Sequence, residues 1–509
     1  MPARRQPVVF VHGWSVRETD SYGALPERLV REARANAVLD LDVRQVWLSE
    51  YVSFHDEVRV ADLARAFDAA LERDLGDLLA AKQRFVCITH STGGPILREW
   101  LQRNFLGQPD RPLPISHLIM LAPPSYGSAL AQLGKTQLAR LKAWFEGVEP
   151  GTGVLDWLEL GSPESLALNR AWIESGKRLI GARGMFPFVL QGESIDRALY
   201  DHLVPYTAEN GSDGVVRVAS ANPNTRWLTL EQGEITRAPT SPLGFAAPRL
   251  RQTGDDAIDG IAMRIIKGRA HSGEDIGIMR SVRNNAAPDP TVDAIMRCLA
   301  VRTQRDYDLL AQRFATESRR VQAAEQIEHI DGSNPFERTI IHDPATMIVF
   351  RVRDDHGHPV KDYDLKLIAG KTHSPDHLPP GFFIDRQRNK RCPNTITYFL
   401  NWSRMAGAKP VFDADGTMLR EGLKASPGLG ISITPYPLNG FVHYLPAMWP
   451  ATQANMKRLI ARNQTTVVDI VLRRVVGSGT FRLTQKLEPE SFVDVQPGAP
   501  IGLNTSGNS

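Results

Sequence analysis

Hydrophobic positions in the first 300 residues fall into two alternating kinds of run. Short unbroken apolar runs, Pro7-Val8-Val9-Phe10-Val11, Phe85-Val86-Cys87-Ile88, residues 115–121 and Phe186-Pro187-Phe188-Val189-Leu190, predict parallel strands covered on both faces. Residues 39–48, 227–230 and 261–266 are also strand-like. Between them apolar residues recur at helical spacing: Leu25, Leu29 and Val30 within 17–35, then Val60, Leu63, Phe67, Ala70 and Leu71 within 57–79. Strand–helix–strand alternation predicts an α/β fold with a doubly wound, mostly parallel sheet and right-handed crossovers. A charged helical pattern over 293–327 finishes this region and leads to a linker near 331–335.

Beyond the linker the texture changes. Short runs at 345–352, 365–368, 431–434, 465–471 and 480–483, with turn signals such as Asp354-Asp355-His356-Gly357, predict an antiparallel β-sandwich-like domain. The expected division is 1–300 for the α/β unit and 301–334 for helix and linker. The β-rich domain covers 335–490, and 491–509 is a disordered tail. Two stretches of the α/β unit read as inserts, 128–184 and 228–260. The first carries Leu130, Leu133, Leu138, Leu141, Trp144-Phe145 and Val154-Leu155-Asp156-Trp157-Leu158. These form either a helical lid over an acyl pocket or plain packing on the core.

Composition narrows the field. A chain of 509 residues with 42% hydrophobic and 23% charged residues is globular and multidomain. A net charge of +3 gives no reason to expect a nucleic-acid partner. Cys87, Cys298 and Cys392 show neither metal-ligand spacing nor a disulfide framework, and Cys87 sits inside a predicted strand. Neither a Sec-type leader nor an apolar run of membrane-spanning length is visible. The expectation is therefore a protein that is not integral to a membrane, either cytoplasmic or exported without a cleaved signal peptide.

Three places carry candidate chemistry. Ile88-Thr89-His90-Ser91-Thr92-Gly93-Gly94-Pro95 puts a serine on a turn between a strand and a helix, flanked by small residues. It departs from G-x-S-x-G by carrying Thr89 where the first glycine stands, which crowds the turn. Asn210-Gly211-Ser212-Asp213-Gly214-Val215-Val216 places an aspartate in a small-residue turn; an ordinary turn aspartate before an edge strand is the alternative. Lys267-Gly268-Arg269-Ala270-His271-Ser272-Gly273 places a histidine in the loop after the last predicted strand of the sheet. A fourth feature, His12-Gly13-Trp14-Ser15, follows the first strand; His12 is either a loop-orienting or a purely structural histidine.

In these features residues 7–300 resemble α/β-hydrolase lipases, closest to the bacterial lipase and GPI-inositol-deacylase (PGAP1-like) branch, which includes phospholipase effectors of type VI secretion. The elbow 89–94 and the acid loop 212–216 carry the resemblance. It implies Ser91 as nucleophile, His271 as general base and Asp213 as the acid, in the Ser…Asp…His order of the fold. It also implies the backbone N–H groups of Trp14 and Thr92 as oxyanion donors. The reaction implied is hydrolysis of lipid carboxylic esters through an acyl-enzyme, at a lipid or membrane surface, with neither metal nor organic cofactor. Some bacterial lipases hold a structural calcium near the histidine; Glu274 or Asp275 could serve, or they are exposed loop residues. An acyltransferase or thioesterase would use the same triad. A non-catalytic binding protein working through its β-rich domain is the remaining class. Were the chain an antibacterial toxin, an immunity protein would be its expected partner.

Overall fold

A computed structural model describes residues 4–12, 22–35, 39–48, 57–106, 108, 111–133, 151–195, 210–236, 240, 246, 248–330, 338–438 and 441–476. Among the described residues eight strands precede residue 270: β1 (Arg4–His12), β2 (Leu39–Trp47), β3 (Phe85–His90), β4 (Ile115–Leu121), β5 (Phe186–Gly192), β6 (Thr225–Gln232), β7 (Leu250–Ile258) and β8 (Ala262–Ile266). Six of them form one sheet in the order β2-β1-β3-β4-β5-β8. Every ladder in it is parallel. β5 is buried along its whole length, as its continuous apolar run requires of a strand covered on both faces.

Helices cover the two faces. Val60–Asp74, Gly93–Leu101, Thr152–Leu158 and Pro163–Leu179 pack on one, where Phe67, Trp100, Trp157 and Trp172 share a core with Val9 and Cys87. Leu25–Ala35, Pro290–Ala300 and Gln304–Ala324 pack on the other, with Leu29, Ile295 and Phe314 against Phe10 and Phe188. Helix starts follow local chemistry. The Asp289 carboxylate accepts from the N–H groups of Thr291 and Val292 with Pro290 in the first turn, and Thr303 and Asp306 form a capping box.

The first insert, where described, is packed rather than free-standing. Val154, Leu155, Trp157, Leu158, Leu168 and Trp172 belong to the core of the α/β region, while Leu166 and Ile173 face the second part of the molecule. Leu138, Leu141 and Trp144-Phe145 lie outside the described residues, as do the strand expected at 480–483 and the tail.

The second region differs in membership from the sequence reading. β6 and β7, expected as a strand of the α/β unit and part of its polar insert, pair with later strands instead. Their six-stranded sheet runs Phe383–Arg388, Thr395–Asn401, Ala345–Asp354, Thr465–Leu472, β6, β7. Antiparallel ladders are present as expected, but Thr465–Leu472 lies parallel to both Ala345–Asp354 and β6. Such ladders need long connections, and here residues 233–464 separate β6 from its parallel partner. A buried anchor accompanies them: Asp469 accepts from Trp227 Nε1 at 3.0 Å and is gripped by Arg351 at 2.7 and 2.8 Å. An antiparallel three-stranded sheet, Tyr363–Ala369, Leu429–Pro435 and Ala447–Thr452, covers one face of this larger sheet.

Alternation along Ala345–Asp354 shows how the two regions meet. Ile348, Phe350 and Val352 point into the core between the β-layers. Met347 and Val349 point the other way, onto Tyr126, Leu160, Leu166, Ile173 and Ala219. Both faces of the strand are buried, so the β-rich region is seated on the α/β region through a continuous apolar seam. Among the described residues no helix is long and apolar enough to cross a membrane.

Candidate active site

The end of β3 delivers Ser91 into the turn before helix Gly93–Leu101. Ser91 has φ +50°, in the left-handed region that residues with a Cβ rarely occupy. Its N–H is tied to the carbonyl of Leu121 at 2.9 Å, at the end of the neighbouring strand β4. The glycines after it are required by close approach. A Cβ on Gly93 would lie 3.2 Å from that of Thr89, and one on Gly94 would lie 2.8 Å from that of Pro123. The threonine in place of the usual first glycine is thus accommodated by the bare backbone of Gly93. Tyr22, buried against Phe10, donates to the carbonyl of Val11 at 2.8 Å and helps hold the loop-bearing end of β1.

Asp213 stands in a tight loop closed by a bridge between Ser212 and Arg217 and by the Val218 N–H on the Gly211 carbonyl at 2.8 Å. The carboxylate is completely buried. Its Oδ1 accepts from the N–H groups of Val215 at 3.0 Å and Val216 at 2.7 Å. Its Oδ2 accepts from Gln191 Nε2 at 2.7 Å and faces His271 Nδ1 at 3.0 Å. Four donors thus converge on this one carboxylate.

His271 follows β8 in a loop fastened by its own N–H on the Asp213 carbonyl at 3.0 Å. Its Nε2 lies 3.1 Å from Ser91 Oγ. Side chains 58 and 180 positions apart in the chain are thereby brought into one hydrogen-bonded line, Asp213–His271–Ser91. Thr92, at the start of the helix, is buried beside them. Gly13 and Trp14 lie outside the described residues; His12 closes β1.

Two further residues join this line that sequence reasoning had left without a role. Gln191 is the polar end of an otherwise apolar strand, and that polarity was the available signal. His90, next to the serine, donates from Nε2 to the carbonyl of His271 at 3.1 Å, its ring 4.9 Å from the His271 ring. Burial, then the neighbouring His271 charge, push its pKa down to about 3, so it remains a neutral donor under ordinary conditions. Cys87 is buried with its thiol pushed well up by desolvation, the inert thiol expected of a strand interior. Glu274 and Asp275 are exposed, and no cluster of three or more potential metal ligands occurs among the described residues.

No protein-family model matches the chain, and no curated protein matches it significantly. Solved structures do. The phospholipase PlaB of Legionella pneumophila is 38% identical, with 98% of each chain covered and a TM-score of 0.82. The same enzyme in complex with thio-NAD gives 37% identity over 96% of this chain and 98% of that one, at TM-score 0.80. The lipase BlEst2 of Bacillus licheniformis in its mature form is 17% identical over 43% of this chain and 79% of its own, at TM-score 0.30. On the full-length likeness at 38% identity, the chain belongs to the α/β-hydrolase family of the Legionella phospholipase and is a carboxylic ester hydrolase.

Proposed function

We propose that this protein hydrolyses carboxylic esters of lipids, phospholipids first, by way of an acyl-enzyme on Ser91. The observation that carries the reading is the position of His271, 3.1 Å from Ser91 Oγ on one side and 3.0 Å from Asp213 Oδ2 on the other. His271 Nε2 takes the Ser91 proton as Oγ attacks the ester carbonyl. Asp213 holds the tautomer with Nδ1 protonated and stabilises the imidazolium that forms. The Thr92 N–H at the helix start is assigned as one oxyanion donor, and Trp14, outside the described residues, is assigned the other by resemblance; one such donor is worth about 3–4 kcal/mol in related sites. His271 returns the proton to the departing alcohol. It then activates the water that releases the fatty acid, and neither a metal nor an organic cofactor enters the cycle. Phospholipid as substrate is supported by the likeness to the Legionella enzyme, which is a phospholipase.

The test is a fluorophosphonate probe combined with mass-spectrometric analysis of phospholipid vesicles. Wild type is expected to be labelled at Ser91 and to release free fatty acid with lysophospholipid. Ser91→Ala is expected to lose labelling and at least 1,000-fold in turnover, on the order of other serine-triad knockouts. Folded Ser91→Ala that retains turnover sinks the mechanism. Hydrolysis of soluble short-chain esters with none of vesicle lipid sinks the substrate class.

A further inference from the structure

The loop that carries Asp213 is fastened to both halves of the molecule. Gln191 of β5 holds the carboxylate from the hydrolase side, and Ser128 Oγ donates to the Val215 carbonyl at 2.6 Å. From the other side, the loop is seated on the β-rich region. Gly211, at φ +79°, leaves room for no side chain: a Cβ there would stand 3.2 Å from that of Ala345 and 3.3 Å from the tip of Phe399. Asn210 Nδ2 donates to the Ile341 carbonyl at 3.3 Å. The strongest link is Arg217, which closes the loop through its bridge to Ser212. Its side chain is only 2% exposed, lies with its guanidinium 4.2 Å from the Phe399 ring centre, and donates to Asp385 Oδ2. Gln387 Nε2 donates to the same oxygen at 3.0 Å.

A buried guanidinium–carboxylate pair is a poor stabiliser, because desolvation consumes most of its attraction. What it does supply is a fixed orientation, since the planar fork of arginine meets a carboxylate in few geometries. Phe383–Arg388, the strand that carries Asp385, is an edge of the second sheet.

We propose that Arg217 and Asp385 are positioning residues for the ester hydrolase, through which the β-rich region sets the orientation of the Asp213 carboxylate towards His271. The second region is then part of the catalytic apparatus. This inference rests on the triad reading above. When the clamp is loosened, Asp213 remains in place but meets His271 less squarely, and the imidazolium is less well stabilised.

The experiment compares wild type, Asp385→Asn and the apolar double variant Arg217→Met/Asp385→Leu, full length, on a soluble ester. The double variant removes both charges, so it stays folded if the single variant does not. The measurements are kcat, KM, the second-order rate of fluorophosphonate labelling at Ser91, and the acid limb of the kcat/KM–pH profile. The expected result is a melting temperature near wild type in the double variant, kcat and labelling rate at least tenfold lower, and KM within twofold. The acid limb moves to lower pH, because a less supported imidazolium loses its proton sooner. A double variant with wild-type kcat, labelling rate and acid limb overturns the proposal. So does a change confined to KM or melting temperature. Ser91→Ala run alongside separates the two levels. If it is inactive while the double variant behaves as wild type, the triad reading stands and the clamp falls; if it is fully active, both fall.

Discussion

Ser91 occupies a backbone conformation that costs a residue with a Cβ about 1–3 kcal/mol. That cost is held by neighbours rather than by the serine, chiefly the Leu121 carbonyl and the bare faces of Gly93 and Gly94. Thr89 shows the same economy from the other side. It is fully buried, and its Oγ1 finds no hydrogen-bond partner among the described residues. An unpaired buried hydroxyl costs roughly 1–3 kcal/mol. Thr89→Val, which keeps the branched shape, is therefore expected to raise the unfolding free energy by about 1 kcal/mol with ester turnover unchanged; urea denaturation reads this directly. A lower midpoint would mean that the hydroxyl is satisfied by water. At this scale the candidate site was largely legible in the sequence. Small residues around Ser91 and Asp213 announce turns whose chemistry is local. Gln191 and His90 were not legible, since what they do depends on a carboxylate and a carbonyl far along the chain.

Strands tell a mixed story for the same physical reason. Runs covered on both faces, such as β3, β4 and β5, declare themselves by unbroken apolarity, and their order follows from the helices between them. β6 and β7 declare only that they are extended. Which sheet they join is decided by partners more than 200 residues later, and nothing in their own alternation encodes that. The end of β5 offers a test of element packing. A Cβ on Gly192 would fall 2.1 Å from the carbonyl oxygen of Arg269, two residues before His271. Gly192→Ala must push the 269–271 segment away from β5. The expected outcome is at least a tenfold loss of fluorophosphonate labelling, with destabilisation of about 1–3 kcal/mol typical of overpacking. Wild-type labelling in a folded Gly192→Ala protein would show that the His271 loop is not held by this contact.

At the scale of the whole molecule, the join between the two regions includes an ionisable group. Glu193, directly after β5, accepts from Gln322 Nε2 at 2.9 Å. Gln322 in turn accepts from Arg462 at 2.7 Å and from Asn463 at 3.0 Å, just before Thr465–Leu472. Glu325 and Arg462 act on Glu193 as charges, and Glu328 and His342 line the same cavity of about 290 Å³. Burial, reinforced by Glu325, pushes the Glu193 pKa up to about 7 against the help of Gln322 and Arg462. Between the ordinary carboxyl range and pH 7 the folded protein thus binds more protons here than the unfolded chain. Stability from this group is complete below about pH 4.5 and is lost as pH rises to about 7. Glu193→Gln should melt higher than wild type at pH 8 and level with it at pH 4.5. Equal melting at pH 8 would show that Glu193 ionises without cost.

One strand has a consequence for how the protein is made. Thr465–Leu472 is the wedge between Ala345–Asp354 and β6, and Thr465 pairs with Thr225. β6 therefore emerges from the ribosome long before its neighbour exists. At roughly 5–20 residues per second it waits on the order of tens of seconds with a bare edge. The parallel hydrolase sheet can close as soon as residue 266 has been synthesised. The floor beneath the Asp213 loop cannot be finished until residue 472 is out. A chain released early would present an open strand edge to its surroundings, a surface that quality control recognises. For this fold, the ester-cleaving centre gains its full support only when a strand some 240 residues after β6 has been made.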